Sequence, residues 1–436
     1  MIDIELIRNN TEEVKVQLAR KWVNPDLIED AKRLDKQKRT IQTEYEAFQS
    51  RLNQLSKEVA KEYGQKKLDL VTSASQIGAE IDKIKPRLED VSKDLDAIMR
   101  QIPNMPSDDT PDGKDESENK VIRQHGDRPK FDFKPMEHWQ LGEKLGVIDI
   151  ETATKVSGTR FAYLKGPLAM MQFALIQLVL GVVTSEEELK RIASKTGLRV
   201  STKPFIPVIP PVFIRPEVMD RMARLEPKDE RYYLDSDDLY LAGSAEHTLG
   251  PIHMDQTLDE KVLPLRYAGY STSFRREAGS YGKDMKGILR VHQFDKLELE
   301  SFTVAEKSFV EQDFIVAIQE YIVQMLEIPY QVVQICAGDM GDPDARQVDI
   351  EMWMPGQNKY RETHTSDCMT DFQSRRLRTK VKRENGKVEL VHMNDATAIA
   401  IGRTLIAIME NNQQKDGSIV IPKALVPYCG FDIIKN

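Results

Sequence analysis

Cysteine is scarce in this sequence. Cys336, Cys368 and Cys429 are the only three in 436 residues, and none stands in C-x-x-C spacing. The chain is therefore expected to have neither a disulfide framework nor a structural zinc site, which fits a reducing compartment. Long apolar runs are missing as well: the nearest, Phe173 to Val183, falls short of the roughly 18 residues that a membrane-spanning helix needs. The opening stretch M-I-D-I-E-L-I-R-N-N-T has no basic start followed by an apolar core, so no secretory leader is expected and a cytoplasmic location is. Positive charge is not in excess. Lys and Arg number 62 against 70 Asp and Glu, a net charge of −8, which argues against a protein that coats nucleic acid non-specifically; any such contact must be local. Neither G-x-x-x-x-G-K-[ST] nor G-x-G-x-x-G occurs. If a nucleotide binds, guanidinium side chains must hold its phosphates in place of a glycine loop.

What is present divides the chain. Its length suggests two or three domains. Residues 1–26 read as a short helical cap, with Pro25 as a stop and Asn24 as an N-cap for the next helix. Apolar residues then alternate three and four apart at Leu34, Ile41, Tyr45, Phe48, Leu52, Leu55 and Val59, missing one beat at Lys38, and again without a gap from Ile77 to Ile102. Two heptad stretches joined by Gly64 to Ser75 predict an antiparallel coiled-coil hairpin within a 1–102 domain, its first helix on the order of 50 Å long. Pro86 falls inside the second run, where it predicts a kink. Residues 103–135, rich in Pro, Asp, Ser and Gly, read as a linker. From 136 to 436 helix-period segments (Leu168 to Val183, Glu186 to Ser194, Ala305 to Leu326) mix with strand-period ones (Ile206 to Phe213, Val332 to Cys336, Val348 to Met354). That mixture predicts an α+β domain on a mainly antiparallel sheet.

Residues 271–300 carry the densest chemistry. Both ends alternate as strands do and the middle holds Gly279, Gly282 and Gly287, which predicts a hairpin with a long tip. On this reading Arg275 and Glu277 share one face, and Arg290, His292, Phe294, Lys296 and Glu298 share another. A guanidinium suits a phosphate, a carboxylate an amine and a ring a flat heterocycle; a salt-bridged solvent face is the plain alternative.

The sequence F-R-R-E-A-G followed by R-V-H-Q-F-D-K-L-E resembles motif 2 of class II aminoacyl-tRNA synthetases, in the form seen in seryl-tRNA synthetases. Motif 3 is similar to A-I-G-R-T-L-I-A-I-M-E-N, within 397–411, and motif 1 to V-I-P-P-V-F-I, near 206–214, with Pro210 and Pro211. H-W-x-L-G-E-K-L-G at 138–146 and K-V-S-G-x-R-F at 155–161 extend the resemblance over nearly the whole chain. It implies a class II catalytic domain, ATP and Mg²⁺ as cofactors, and a homodimer built through motif 1. In such a site Arg275 holds the α-phosphate, Glu277 reads the adenine amino group, Phe294 stacks on adenine, and Arg290 and Arg403 meet the outer phosphates. Arg276, Val291, Thr363 and His364 complete the implied ATP contacts. Arg403 interrupts an otherwise apolar helix from Ala398, so it needs an anion, either a protein carboxylate or the γ-phosphate.

The family's T-x-E reads here as Ser244-Ala245-Glu246. With Arg275, Glu298 and Thr397 it implies a serine pocket that rejects alanine for its missing hydroxyl and threonine for its size. Y-R-E-T-H-T-S-D-C-M-T-D-F-Q-S-R-R resembles E-I-S-S-C-S-N-x-x-D-F-Q-x-R-R, which implies Glu362 and Thr365 as oxygen ligands of the magnesium ion. Thr363, His364, Asp367, Cys368 and the N-D-A-T stretch depart from the family pattern, and either Asn394 or Asp395 stands at its asparagine. The chain stops about 25 residues after motif 3, so no C-terminal anticodon-binding domain is expected and tRNA(Ser), with tRNA(Sec) left open, falls to the arm. There Lys32, Arg33, Lys36, Lys38 and Arg39 form a basic patch around Asp35, either an RNA contact or a solvated helix face. The resemblance implies a serine–tRNA ligase; a carrier-protein-directed relative and a non-catalytic paralogue are the other readings.

Overall fold

Helix boundaries in the first part of the chain follow local capping chemistry. The computed structural model describes residues 1–278 and 286–435, and the chain divides into units Met1–Met105 and Pro106–Asn436. In the first unit α1 (Ile4–Asn9) and α2 (Thr11–Ala19) precede α3 (Pro25–Val59) and α4 (Gly64–Gln101). Asn24 caps α3, its side chain accepting from the Asp26 amide at 3.0 Å, and Pro25 occupies the first helical position. Pro25 thus opens the long helix and does not stop the short one, because its missing N–H is one of those that a helix start leaves unpaired anyway. Leu34, Ile41 and Leu55 of α3 and Ile81, Ile84, Val91 and Leu95 of α4 are the buried seam of the antiparallel pair. The expected connector at Gly64 to Ser75 is itself helical; the turn is confined to residues 60–63. Pro86 lies inside α4 without interrupting it.

The second unit is built on an eight-stranded sheet. Its strands are β1 (Lys120–His125), β2 (Ile206–Val208), β3 (Leu265–Phe274), β4 (Gln293–Thr303), β5 (Tyr330–Gln334), β6 (Arg346–Met354), β7 (Lys359–Thr370) and β8 (His392–Ala400). They run β1-β5-β6-β7-β8-β4-β3-β2 across the sheet, antiparallel except for β2 beside β3. Strand β1 lies inside the expected 103–135 linker, so that stretch is no free tether. Ser107 donates to the Ala345 carbonyl at 2.8 Å, and Asn119 accepts from the Cys336 amide at 2.9 Å; these bonds outweigh a linker-like composition.

One face of the sheet is covered by helices α5 (Pro167–Val183), α6 (Glu186–Thr196), α7 (Ser308–Met325) and α8 (Ile401–Asn411), which share the main apolar core with Leu297, Leu299, Ile350 and Ala396. Gln319 of α7 donates to the carbonyls of both Thr365 and Thr397 at 2.7 and 2.8 Å, tying the helix layer to the two strands that carry those residues. Helix α8 starts at Ile401 and not at Ala398, which still belongs to β8.

The β3–β4 ladder ends where Phe274 pairs with Gln293. Arg275, Glu277, Arg290 and His292 therefore lie beyond the strands in the connection, and the two-face assignment holds only from Phe294 onward. Gly279 and Gly282 fall outside the described residues. Gly287 has φ +78°, and a Cβ there would stand 1.9 Å from His138 Nε2, so no larger residue fits. That same Nε2 accepts from the Ile288 amide at 3.1 Å, while Nδ1 lies 3.2 Å from Glu410, pinning one root of the connection.

Farther down β3, Arg266 is enclosed between the rings of Phe205 and Phe314 and forms two bonds to Glu311, at 2.6 and 2.7 Å. Ser301 adds a third bond to that carboxylate. Glu311→Ala strands a buried guanidinium, so it should cost about 3–5 kcal/mol. Chemical unfolding followed by circular dichroism checks this, and Glu306→Ala on the surface is the control.

Candidate nucleotide and amino-acid site

On the sheet face away from the main helix layer, period-two alternation is broken twice. Between β6 and β7 the register passes from Ile350↔His364 to Glu351↔Glu362, leaving Thr363 as an extra residue. Between β4 and β8 it passes from Leu297↔Ile399 to Glu298↔Thr397, leaving Ala398 extra. A bulge re-aims the side chains beyond it. As a result Glu362 and Thr365, three apart, line one cavity, and so do Thr397 and Ala400.

That cavity, of about 140 Å³, is bounded by Arg275, Glu277, Arg290, Val291, Phe294 and Arg403, together with Lys296 and Thr363. Arg275 sits with its Cζ 5.5 Å from the Phe294 ring and donates Nε–H to the Gly243 carbonyl at 3.0 Å. Arg290 Nη1 donates to Glu277 at 3.2 Å, and Glu277 itself takes a positive φ of 53°. The Arg403 guanidinium donates to both the carbonyl and the carboxylate of Glu362, each at 2.9 Å. Its partner in this structure is thus a protein carboxylate, and Arg403 is partly exposed near the start of α8, not sealed within an apolar helix. Burial would raise the Glu362 carboxyl, but the charges of Arg403, Lys296 and Arg275 outweigh it and leave Glu362 below its ordinary range. The cavity therefore combines cations, a ring and an ionised oxygen donor.

Below it lies a smaller polar nest. Ser244 Oγ donates to Glu298 at 2.5 Å and accepts from the Glu246 amide at 3.4 Å. Glu298 also pairs with Lys296, and Lys296 and Thr397 join the nest to the cavity above. Ala245 is wholly buried in a satellite apolar cluster and presents no side-chain function. Glu246, on a one-turn helix (Glu246–Leu249), is bonded by Arg224 Nε at 2.5 Å. Burial pushes its carboxyl up, yet Arg224 prevails and brings it down to about 2.

Two expected residues stand elsewhere. His364 pairs across the ladder with the core residue Ile350, is fully buried, and does not line the cavity; the bulge at Thr363 turns it to the helix side, where burial lowers its ring to about 3. Arg276 lies over the ring of Tyr232, 5.0 Å from its centre, also away from the cavity. Of the two candidates for the family's asparagine, Asp395, two residues from Thr397, shares its face, and Asn394 points the other way. Lys296 and Arg224 were missed as site residues. Lys296 could have been taken from its place two residues before Glu298; nothing in the sequence marks Arg224. In the arm, Arg39 and Arg8 both bond to the buried Asp35, and Arg33 pairs with Asp30, so Lys32, Lys36 and Lys38 carry most of what the basic patch has to offer.

An antiparallel sheet with guanidinium groups on its open face, a stacking ring in the β3–β4 hairpin and a third arginine at the start of α8 defines a class II aminoacyl-tRNA synthetase. Residues 231–412 match the model of the class II tRNA synthetase core domain (G, H, P, S and T), and residues 1–106 match the seryl-tRNA synthetase N-terminal domain. Serine–tRNA ligases of Pseudothermotoga lettingae and Thermotoga maritima are 38% and 39% identical, with both chains covered in full. The seryl-tRNA synthetase of Pyrococcus horikoshii complexed with ATP superposes with a TM-score of 0.89 at 35% identity, over 100% of this chain and 99% of that one. The cytoplasmic serine–tRNA ligase of Naegleria fowleri in complex with AMP gives 0.84 at 31%, with the same coverage. The chain belongs to the seryl-tRNA synthetase family.

Close to the nest, Glu300 is buried with neither carboxylate oxygen hydrogen-bonded, and burial, with Glu246 nearby, pushes it well above the ordinary range. A raised acid binds its proton more tightly folded than unfolded. Stability is therefore lost as pH rises from the ordinary glutamate value toward the folded one, at up to about 1.4 kcal/mol per pH unit. Glu300→Gln should remove that slope, so the melting temperature of the variant relative to the parent should climb between about pH 5 and 8, as differential scanning calorimetry can measure.

Proposed function

We propose that this chain activates L-serine with ATP and transfers the seryl group to the 3′ end of tRNA(Ser), and that the cavity and the nest beneath it carry out the first step. One observation carries the reading: Arg275, Phe294 and Arg403, far apart in sequence, line one cavity that adjoins a buried hydroxyl–carboxylate pair, Ser244 and Glu298.

The chemistry derives from placement. Adenine stacks on Phe294 with Glu277 at its amino edge, and Arg275 lies against the α-phosphate. The outer phosphates meet Arg290 and Arg403, whose carboxylate partners, Glu277 and Glu362, give way to the triphosphate. Serine's ammonium and hydroxyl face Glu246, Glu298, Ser244 and Thr397. A serine carboxylate oxygen then forms a bond to the α-phosphorus, the bond from that phosphorus to the bridging oxygen breaks, and pyrophosphate leaves with the electron pair. Holding both reactants in line and stabilising the added negative charge on the phosphate supply the acceleration; no side chain is required as general base. The ionised Glu362 and the Thr365 hydroxyl are hard oxygen donors beside the phosphate cavity and would hold Mg²⁺, which, when bound, screens the phosphate charge. Among the described residues no group of three or more His, Cys, Asp or Glu side chains forms a metal site.

The arm reaches tRNA(Ser) through Lys32, Lys36 and Lys38 and their neighbours, by salt-sensitive phosphate contacts. A second copy of the chain docks along β2, the edge strand of the sheet, where Ile206, Ile209 and Phe213 are exposed; an open edge beside apolar side chains favours pairing. The family reading and the lack of any single helix long and apolar enough to cross a membrane, among the described residues, accord with a cytoplasmic enzyme.

Arg275→Ala should lower serine-dependent ATP–pyrophosphate exchange by at least about 100-fold with an unchanged circular dichroism spectrum; near-parental exchange would remove Arg275 from the reaction. A chain lacking residues 1–105 should keep exchange within about tenfold and lose tRNA charging, since the two steps draw on separate binding surfaces. Charging retained by the shortened chain would exclude the arm as the tRNA contact.

A further inference from the structure

A second row of acids lies behind the amino-acid nest. Strands β4, β8 and β7 place Glu300, Asp395 and Asp367 directly opposite one another, one pleat beyond Glu298 and Thr397. All three are buried. Opposed side chains on neighbouring strands stand about 5 Å apart at Cβ, so three full negative charges there would repel strongly.

Among the described residues, Arg224 is the cation that acts on all three acids. Arg224 donates Nε–H to Glu246, and its Nη2 lies 3.5 Å from Asp395. The residue before it, Ala223, has φ +57°, a left-handed backbone that costs energy for any side chain larger than glycine's. The chain holds that strained turn where Arg224 enters the cluster. Burial raises Glu300, Asp367 and Asp395 well above the ordinary carboxyl range, with Glu246 adding to the rise in Glu300 and Asp395, and Asp344 to that in Asp367. Glu246 alone is brought below it.

We infer that Arg224 is a positioning residue for amino-acid recognition: it holds the Glu246 carboxylate in place at the pocket floor, beside the opposed Glu300 and Asp395. The inference rests on reading Ser244–Glu246 as part of the serine pocket. It adds a specificity element at residue 224. Other groups facing Glu246 are Asp395, whose side chain hydrogen-bonds it, His247 on its own helix, Glu300 and Asp367 on the neighbouring strands, and Glu298 through Ser244. Burial lowers the His247 ring to about 3, so it stays neutral at working pH.

The test is serine-dependent ATP–pyrophosphate exchange by the full chain carrying Arg224→Met or Arg224→Lys, with KM for serine and for ATP measured across about pH 6 to 8.5. Arg224→Met should raise KM for serine about tenfold or more and move KM for ATP by no more than about twofold. KM for serine should also fall as pH rises, because Glu246, no longer held ionised, must lose a proton before it can meet the ammonium. Arg224→Lys should show the same pattern at a smaller amplitude, and it decides alone if Arg224→Met does not fold. Serine and ATP constants rising together, a loss in kcat only, a pH-independent serine KM, or parental behaviour in both variants would each overturn the inference. Failure of the unaltered chain to exchange with serine would instead overturn the reading of the pocket on which the inference rests.

Discussion

A charge held away from water must be met by an opposite charge or by hydrogen bonds, and the open face of the sheet is built around that requirement. Lys296 answers Glu298, Arg224 answers Glu246, Arg403 answers Glu362 and Arg290 answers Glu277. Each pair mixes a group suited to the substrates with one that keeps it solvated in their absence. Ligand binding then exchanges partners and creates no bare charges, which keeps the cost of filling the site low. The pairs differ in depth. Arg403 and Glu362 sit at the rim, where they can part, whereas Arg224 and Glu246 are enclosed and act as part of the floor.

Backbone irregularity aims these groups. Regular alternation would have sent Glu362 and Thr365 to opposite faces of β7, and Thr397 and Ala400 to opposite faces of β8. One extra residue in each strand, Thr363 and Ala398, brings each pair to the same cavity. The buried Gln319 amide, bonded to the carbonyls of Thr365 and Thr397, supports both strands from behind. The same bulge explains why His364, next in sequence to a cavity residue, ends in the apolar layer. At the hairpin, the ladder stops at Phe274 and Gln293, so Arg275, Glu277 and Arg290 approach the cavity from connecting segments whose geometry is set by long-range bonds such as Arg275 to Gly243 and Ile288 to His138.

Much of this was legible in the residues themselves. The seam of the arm, the N-cap at Asn24, the α+β character of the larger unit and the family-specific clusters around Arg275, Glu298, Glu362 and Arg403 depend on spacing and local chemistry, which a sequence displays directly. Tertiary packing decided the rest. Pro25 became a helix start, the 103–135 stretch gave a strand to the sheet, two bulges reset which side chains share a face, and Arg224 entered a cluster of carboxyls drawn from four separate segments. Periodicity carries the direction of a side chain only while the register is unbroken, and a buried charge shows its partner only once distant strands have come together.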